Sequence, residues 1–345
     1  MTQIEGLVPG ELPASGNILR LFFTPGHRSV YDQVYQAATT ESDETKQRNL
    51  QVLGFLILFA PRLDSEALAE IVSAVRSTAS EDLHVLGKVY LDCFIRPFYN
   101  FRGPRTPFSP DHPSRPSFNA RVQQIKATLT EAPKNHSDAK DKALVRDGYR
   151  CVVTRLIDPN CMSFFDAKQI DTFGTGTTRC AHIVPDSTVF GMHEELNKKY
   201  LASILAVFDR FGIKIDTLNR DKMHSLENVM TLALQIYDTF DKLELWLEAT
   251  DNEHEYIVKA INENDFLLRT TVHGPIKLTS SDPNVPLPNP QFLEFHAAAC
   301  KIAHLSGVAE HIENVLRDYE RIGVLAEDGG SMAVLEQALF QAGSV

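Results

Sequence analysis

Apolar residues recur at three- and four-residue spacing through three windows of the N-terminal third, Asn49 to Phe59, Ser65 to Val75 and Ser80 to Phe94. That spacing gathers them on one face of a helix. Ser65 and Ser80 stand where N-caps are wanted, and Glu66 follows Ser65 in the first turn. The pattern predicts a helical region over residues 29–118 that ends in a proline-rich stretch carrying Pro104, Pro107, Pro110, Pro113 and Pro116. Proline lacks an N–H and does not continue a helix, so this stretch reads as a linker or wrapping arm and a domain boundary. Ahead of it, residues 1–28 hold Pro9, Pro13, Pro25 and several glycines and read as a disordered or extended leader.

The pattern then mixes. Residues 119–148 are helical with a break near Pro133, Arg150 to Leu156 reads as a strand, and 158–178 as loop. Arg179 to Pro185 is a short β-prone run. Residues 193–211 put Leu196, Tyr200, Ile204, Val207, Phe208 and Phe211 on one helical face, an insertion over 190–224. Asn228 to Leu232 and Leu234 to Asp241 give loop, strand and helix. Leu243 to Glu248, Glu255 to Ile261 and Phe266 to Val272 alternate like strands, with Asp251-Asn252 as a turn. Pro283, Pro286, Pro288 and Pro290 mark a second linker, and Phe292 to Leu305 and Ala309 to Arg321 are helices. The expected class is α+β, with a core over 119–280 and a closing region over 281–345.

Composition narrows the function classes. No apolar run approaches the ~18 residues of a membrane span, and the start of the chain lacks the basic-then-apolar order of a signal peptide. Cys93, Cys151, Cys161, Cys180 and Cys300 are an odd number with no Cys-x-x-Cys, which fits free thiols in an intracellular compartment, cytoplasmic or nuclear. The net charge of −11 weighs against a nucleic-acid partner, although Lys134, Lys140, Lys142, Arg146 and Arg150 form a local basic stretch. That stretch fits a solvated helix face or a phosphate contact. Phe173-Gly-Thr-Gly-Thr-Thr178 lacks the Gly-Lys-Ser/Thr that completes a phosphate-binding loop.

Three strings carry chemistry: Arg146-Asp-Gly-Tyr-Arg-Cys-Val-Val-Thr154, Arg179-Cys-Ala-His-Ile-Val-Pro185, and the run from Leu226-Glu-Asn-Val-Met-Thr-Leu232 to Asp241. Their order resembles the HNH endonucleases, in particular the large HNH-domain proteins that basidiomycete fungi carry in many copies. The flanks His112-Pro-Ser-Arg-Pro-Ser-Phe118, His304-Leu-Ser-Gly307 and Leu325-Ala-Glu-Asp-Gly329 are similar too. The resemblance implies a ββα-metal core with a small antiparallel sheet, flanked by helical N- and C-terminal segments. It further implies hydrolysis of DNA or RNA with a divalent ion, Mg²⁺, Mn²⁺ or Zn²⁺. By the same resemblance His182 is the general base, Asn228 orients its imidazole, and Arg179 or Arg150 contacts phosphate.

The chain departs from the family at the metal. Ala181 stands beside the base, and Tyr237 occupies the helix position where the family carries a histidine. A neutral phenol is a weak ligand for these ions. Asp238, Asp241, Asp186, His193 and His224 are nearby substitutes in sequence. Asn228 fits equally a turn residue or a cap, and Tyr237 fits packing with its hydroxyl at the rim. A zinc set of Cys151, Cys161, Cys180 and His182 lacks the spacing of paired knuckles, so small buried thiols are the plainer reading. The alternative function is a lapsed or repurposed HNH fold that binds a small molecule or protein, or runs unrelated chemistry in the same pocket. A purely structural interaction protein has only the helical flanks in its favour.

Overall fold

The computed structural model of the chain describes residues 4, 6–21, 24–63, 65–99, 118–185, 195–213 and 223–322. The helices are α1 (Pro25–Thr40), α2 (Glu44–Leu63), α3 (Ser65–Ser77), α4 (Leu83–Tyr90), α5 (Phe118–Ala127), α6 (His136–Arg146), α7 (Ala167–Phe173), α8 (Glu195–Arg210), α9 (Leu234–Asp241), α10 (Phe266–Thr271), α11 (Pro290–Leu305) and α12 (Val308–Ile322). The strands are β1 (Thr178–His182), β2 (Val229–Ala233), β3 (Leu245–Ala249), β4 (Glu255–Ala260) and β5 (Ile276–Lys277). The fold is α+β and mostly helical, with two small antiparallel sheets, β1-β2 and β3-β4-β5. No helix among the described residues is long and apolar enough to cross a membrane.

The chain divides into two compact units. One comprises Met1–Asn100, Ser187–Ile215 and Ala298–Val345, the other Phe101–Asp186 and Asp216–Ala297. Helix α8, from the insertion expected over 190–224, belongs to the first unit, where it packs on α3 and on the π-helical turn Leu91–Ile95. Its anchors are Phe211, against Tyr90 and Phe94, and Arg210, paired with Glu70 at 2.9 Å. Helix α11 starts in the second unit and ends in the first. The proline-rich stretch 101–117 lies outside the described residues.

In the first unit α2 is the central helix. Its run from Val52 to Ala60 is buried on all sides, with α1, α3 and α4 around it. A side chain at Gly87 would fall on the backbone carbonyl of Asn49, so glycine lets α4 approach α2 closely. Thr24 caps α1 by accepting from His27 N–H at 3.1 Å, with Pro25 at the first helical position. Ser80 opens a short 3₁₀ turn ahead of α4 and does not cap it. Within residues 4–21, Ile4, Leu7, Leu12 and Ile18 are buried, Ser15–Leu21 forms a 3₁₀ helix, and Tyr31 Oη–H donates to Pro13 C=O at 2.7 Å. This alternation of single apolar residues with turns buries against a neighbour without showing a period.

Local capping reshapes the second unit relative to the sequence reading. Residues 158–178, expected as loop, hold a 3₁₀ turn Pro159–Phe164 begun by Asp158, and α7 begun by an Asp166–Gln169 capping box. Gly174, at φ +69°, ends α7 in the left-handed conformation that glycine adopts without strain. Phe266 to Val272, expected as a strand, is α10, because Asp265 accepts from Leu268 N–H at 3.0 Å. The expected strand Arg150 to Leu156 is a knuckle: Tyr149 and Arg155 both take positive φ, and only the bridge Arg150↔Ile157 survives. Asp251-Asn252 does turn β3 into β4, with Asn252 Nδ2–H and Thr250 Oγ1–H both donating to Glu255.

Candidate functional site

His182 is the last residue of β1, paired with Val229 of β2. Alternate residues of a strand point to opposite faces. Cys180, two residues earlier, joins the core cluster with Ala143 and Val145 of α6. His182 shares that face and meets His136 at the start of α6, their ring centroids 5.4 Å apart. Arg179 takes the other face, where its guanidinium lies over the Tyr237 ring of α9 at 5.4 Å. Arg179 is thus a β1 side chain that meets the helix expected to complete the site.

His136 is held by the cap of α6. Asn135 accepts from Asp138 N–H and Asp138 in turn accepts from Lys134 N–H, both at 3.0 Å. The buried Lys142 ties the same turn to Glu131 C=O at 2.9 Å and to Asp138 at 3.4 Å. A third imidazole arrives from the turn Met223–His224. His182 Nε2 lies 3.0 Å from His224 Nδ1, and the ring centroids are 5.2 Å apart. The ligand nitrogens of His136, His182 and His224 all lie within 4.8 Å of one another, a spacing one metal ion can span. Among the described residues no other group of histidine, cysteine or carboxylate side chains converges in this way.

Burial first, and then the nearby His136 and His224, push the His182 pKa down to about 3. His136 keeps an exposed edge, yet its dense surroundings, followed by His224 and Lys140, lower its pKa as well. Both rings are neutral at pH 7 and offer a lone pair.

Asn228 is fully buried and makes three side-chain hydrogen bonds. Its Oδ1 accepts from Val184 N–H at 2.8 Å, and its Nδ2 donates to Val184 C=O at 3.1 Å and Met223 C=O at 3.0 Å. These bonds go to the backbone that follows His182 and precedes His224. Ile183 N–H donates to Asn228 C=O at 2.9 Å and completes this staple. The side chain positions two histidines through the loops that carry them.

Behind the staple sits Arg146, with no exposed surface. Its Nε and Nη2 donate to Asp147 at 2.7 and 3.1 Å, and Nη2 also donates to Val229 C=O at 2.8 Å. Nη1 donates to Leu226 C=O and, at 3.5 Å, to Pro286 C=O. Asp147 accepts from Thr231 N–H at 2.8 Å, so the pair fixes both β2 and the turn before it. Arg146 belongs to the first chemistry-bearing string, and its part is structural.

The other sequence candidates lie elsewhere. Arg150 is clamped between Phe165 and Phe173, at 4.5 and 4.2 Å from their ring centres. Asp238, Asp241 and Tyr237 are half-buried on α9, and neither aspartate belongs to the imidazole group. Cys151, Cys161 and Cys180 are buried, and burial pushes the Cys161 and Cys180 thiols up to about 12. None of the three groups with His182. Asp186 and His193 fall outside the described residues. His224 was one of several loop candidates in the sequence, whereas His136 carried no sequence signal beyond being a histidine near a predicted helix.

Comparison of the chain with protein-family models, with curated proteins and with solved structures returns no match.

Proposed function

We propose that the chain is a metal-dependent phosphodiester hydrolase acting on DNA or RNA, built on an HNH-like ββα-metal core. The observation that carries the proposal is His182 at the end of β1, beside two further imidazoles, with Asn228 stapling the loops on either side. Hydrolysis of a phosphodiester needs a group to activate water and a cation to offset charge on the leaving oxygen. A neutral His182 beside a cation site is consistent with both needs. Arg150 and Arg179, held over aromatic rings, are the candidate phosphate contacts.

One observation favours a second reading. Tyr237 pairs with Arg179 on the face of β1 away from His182, and the chain carries a net charge of −11. A lapsed HNH fold that keeps its cation and binds a small molecule or protein has both features.

Cleavage of duplex DNA, single-stranded DNA and RNA, each with Mg²⁺, Mn²⁺ or Zn²⁺, decides between the two. Nuclease function predicts metal-dependent cleavage that His182→Ala abolishes while the circular dichroism spectrum is unchanged. Absence of cleavage on every substrate overturns the nuclease reading in favour of the lapsed fold. Unaltered cleavage by His182→Ala removes His182 from the site.

A further inference from the structure

We infer that His136, His182 and His224 are the protein ligands of a Zn²⁺ ion, with His182 bound to the metal and not serving as a separate base. The inference rests on the proposed hydrolase, names its cation and ligand set, and moves His182 from the part of water-activating base to that of ligand. The site it describes also stands without any catalysis.

Ligand chemistry selects the ion. Among the described residues the group contains only imidazoles, with no carboxylate or thiol. Mg²⁺ and Ca²⁺ take oxygen ligands, whereas Zn²⁺ and its first-row neighbours take imidazole nitrogen. A hard ion set into three imidazoles would exchange its water for poor donors. Zinc gains three of the ligands it prefers.

The geometry fits with little movement. Zn–N bonds of about 2.0–2.1 Å at tetrahedral angles place neighbouring nitrogens about 3.3–3.4 Å apart. His182 Nε2 and His224 Nδ1 are already 3.0 Å apart, so a cation would part them by a few tenths of an ångström. No pair of ligand nitrogens exceeds 4.8 Å, so His136 has to close by at most about 1.4 Å. Its ring is the exposed member of the three, on the first turn of α6, and a side-chain rotation is enough.

The placement is built, not incidental. Three separate segments each deliver one imidazole: the capped start of α6, the end of β1, and the turn Met223–His224. Asn228 ties the last two together through Val184 and Met223. Three protein ligands leave a tetrahedral ion one position for water or substrate, the arrangement of catalytic zinc sites, where structural sites close with four. Once its lone pair is given to the metal, His182 has none left to take a proton from water. The division of labour implied by the family resemblance, a base on the strand and ligands on the helix, is thereby replaced. It also removes the need for a ligand at Tyr237.

The test is titration calorimetry of the whole chain, without any polyhistidine tag, against Zn²⁺ and separately against Mg²⁺. The variants are His136→Ala, His224→Ala and, as a control, His273→Ala, which removes an exposed histidine outside the group. The expected result is one Zn²⁺ per chain and no comparable Mg²⁺ binding. Affinity should fall by on the order of tenfold or more in His136→Ala and in His224→Ala, since losing even an outer-shell partner costs about that much, and should be unchanged in His273→Ala. Visible absorption typical of tetrahedral Co²⁺, lost in the same two variants, serves as a second readout. Zinc binding that is equal in wild type and both site variants, or absent from wild type, overturns the inference. Binding without cleavage of any nucleic acid keeps the site and rejects the hydrolase; cleavage without Zn²⁺ binding does the reverse.

Discussion

Replacing Asn228 by alanine removes three hydrogen bonds from a position with no solvent access. Val184 N–H, Val184 C=O and Met223 C=O each lose a partner. At about 1 kcal/mol net per bond the variant loses about 3 kcal/mol. Asn228→Asp separates hydrogen bonding from packing, because the two side chains have nearly the same shape. Aspartate still accepts from Val184 N–H, but its second oxygen faces two carbonyl oxygens and its charge is buried without a counterion. Its cost is therefore at least that of alanine, about 3–5 kcal/mol. Trp246, the single tryptophan, is buried in β3 of the same unit, so its fluorescence during urea unfolding reports on this unit. The same bonds hold the loops of His182 and His224, so Zn²⁺ affinity of the still-folded alanine variant should drop by about tenfold. If both variants unfold within about 0.5 kcal/mol of wild type, a range typical of surface changes, the staple is not what positions the site.

Three further outcomes follow from the same structure. Arg146→Lys retains a positive charge but not the planar fork of five donors, and should lose about 3 kcal/mol in the Trp246 urea assay, because Asp147 and the carbonyls of Leu226 and Val229 stay buried; a near-neutral effect would deny the network its structural part. His296 stacks on Phe240 at 3.8 Å, and burial pushes its pKa down to about 3. The unfolded chain, with a histidine pKa near 6.5, binds a proton over that window that the folded chain does not, so this stability is present above about pH 6.5 and falls toward pH 3 by about 1.4 kcal/mol per pH unit. His296→Gln should flatten that slope between about pH 6.5 and pH 4.5 by about one proton, and parallel curves for variant and wild type would contradict the assignment. Tyr237→His should leave Zn²⁺ affinity unchanged, because residue 237 lies with Arg179 on the far face of β1; a tighter zinc isotherm would show that α9 does reach the cation.

The helices were legible because periodic apolar faces are a local property. Helices α2 to α4, α8, α11 and α12 are legible in the sequence, the first four from apolar spacing. Where local chemistry opposed the period, the reading failed. The Asp265 cap turned an alternating run into α10, and positive φ at Tyr149 and Arg155 folded a predicted strand into a knuckle. At the site, the family resemblance points to His182 and Asn228 and says nothing of the backbone that Asn228 holds. The bonding partners of Asn228 are backbone atoms, and backbone atoms leave no trace in sequence. His136 was missed for a related reason: it meets His182 only after α6 packs on β1, and no spacing rule links the two. Tyr237 was singled out by helical position, yet strand alternation decided which face it serves.

The most direct test of the account is X-ray absorption at the zinc edge on the Zn²⁺-loaded protein. The account predicts a shell of three imidazole nitrogens at about 2.0–2.1 Å, with one further light ligand, falling to two imidazoles in His136→Ala. A shell of oxygen ligands alone, or a spectrum that His136→Ala does not alter, would contradict it.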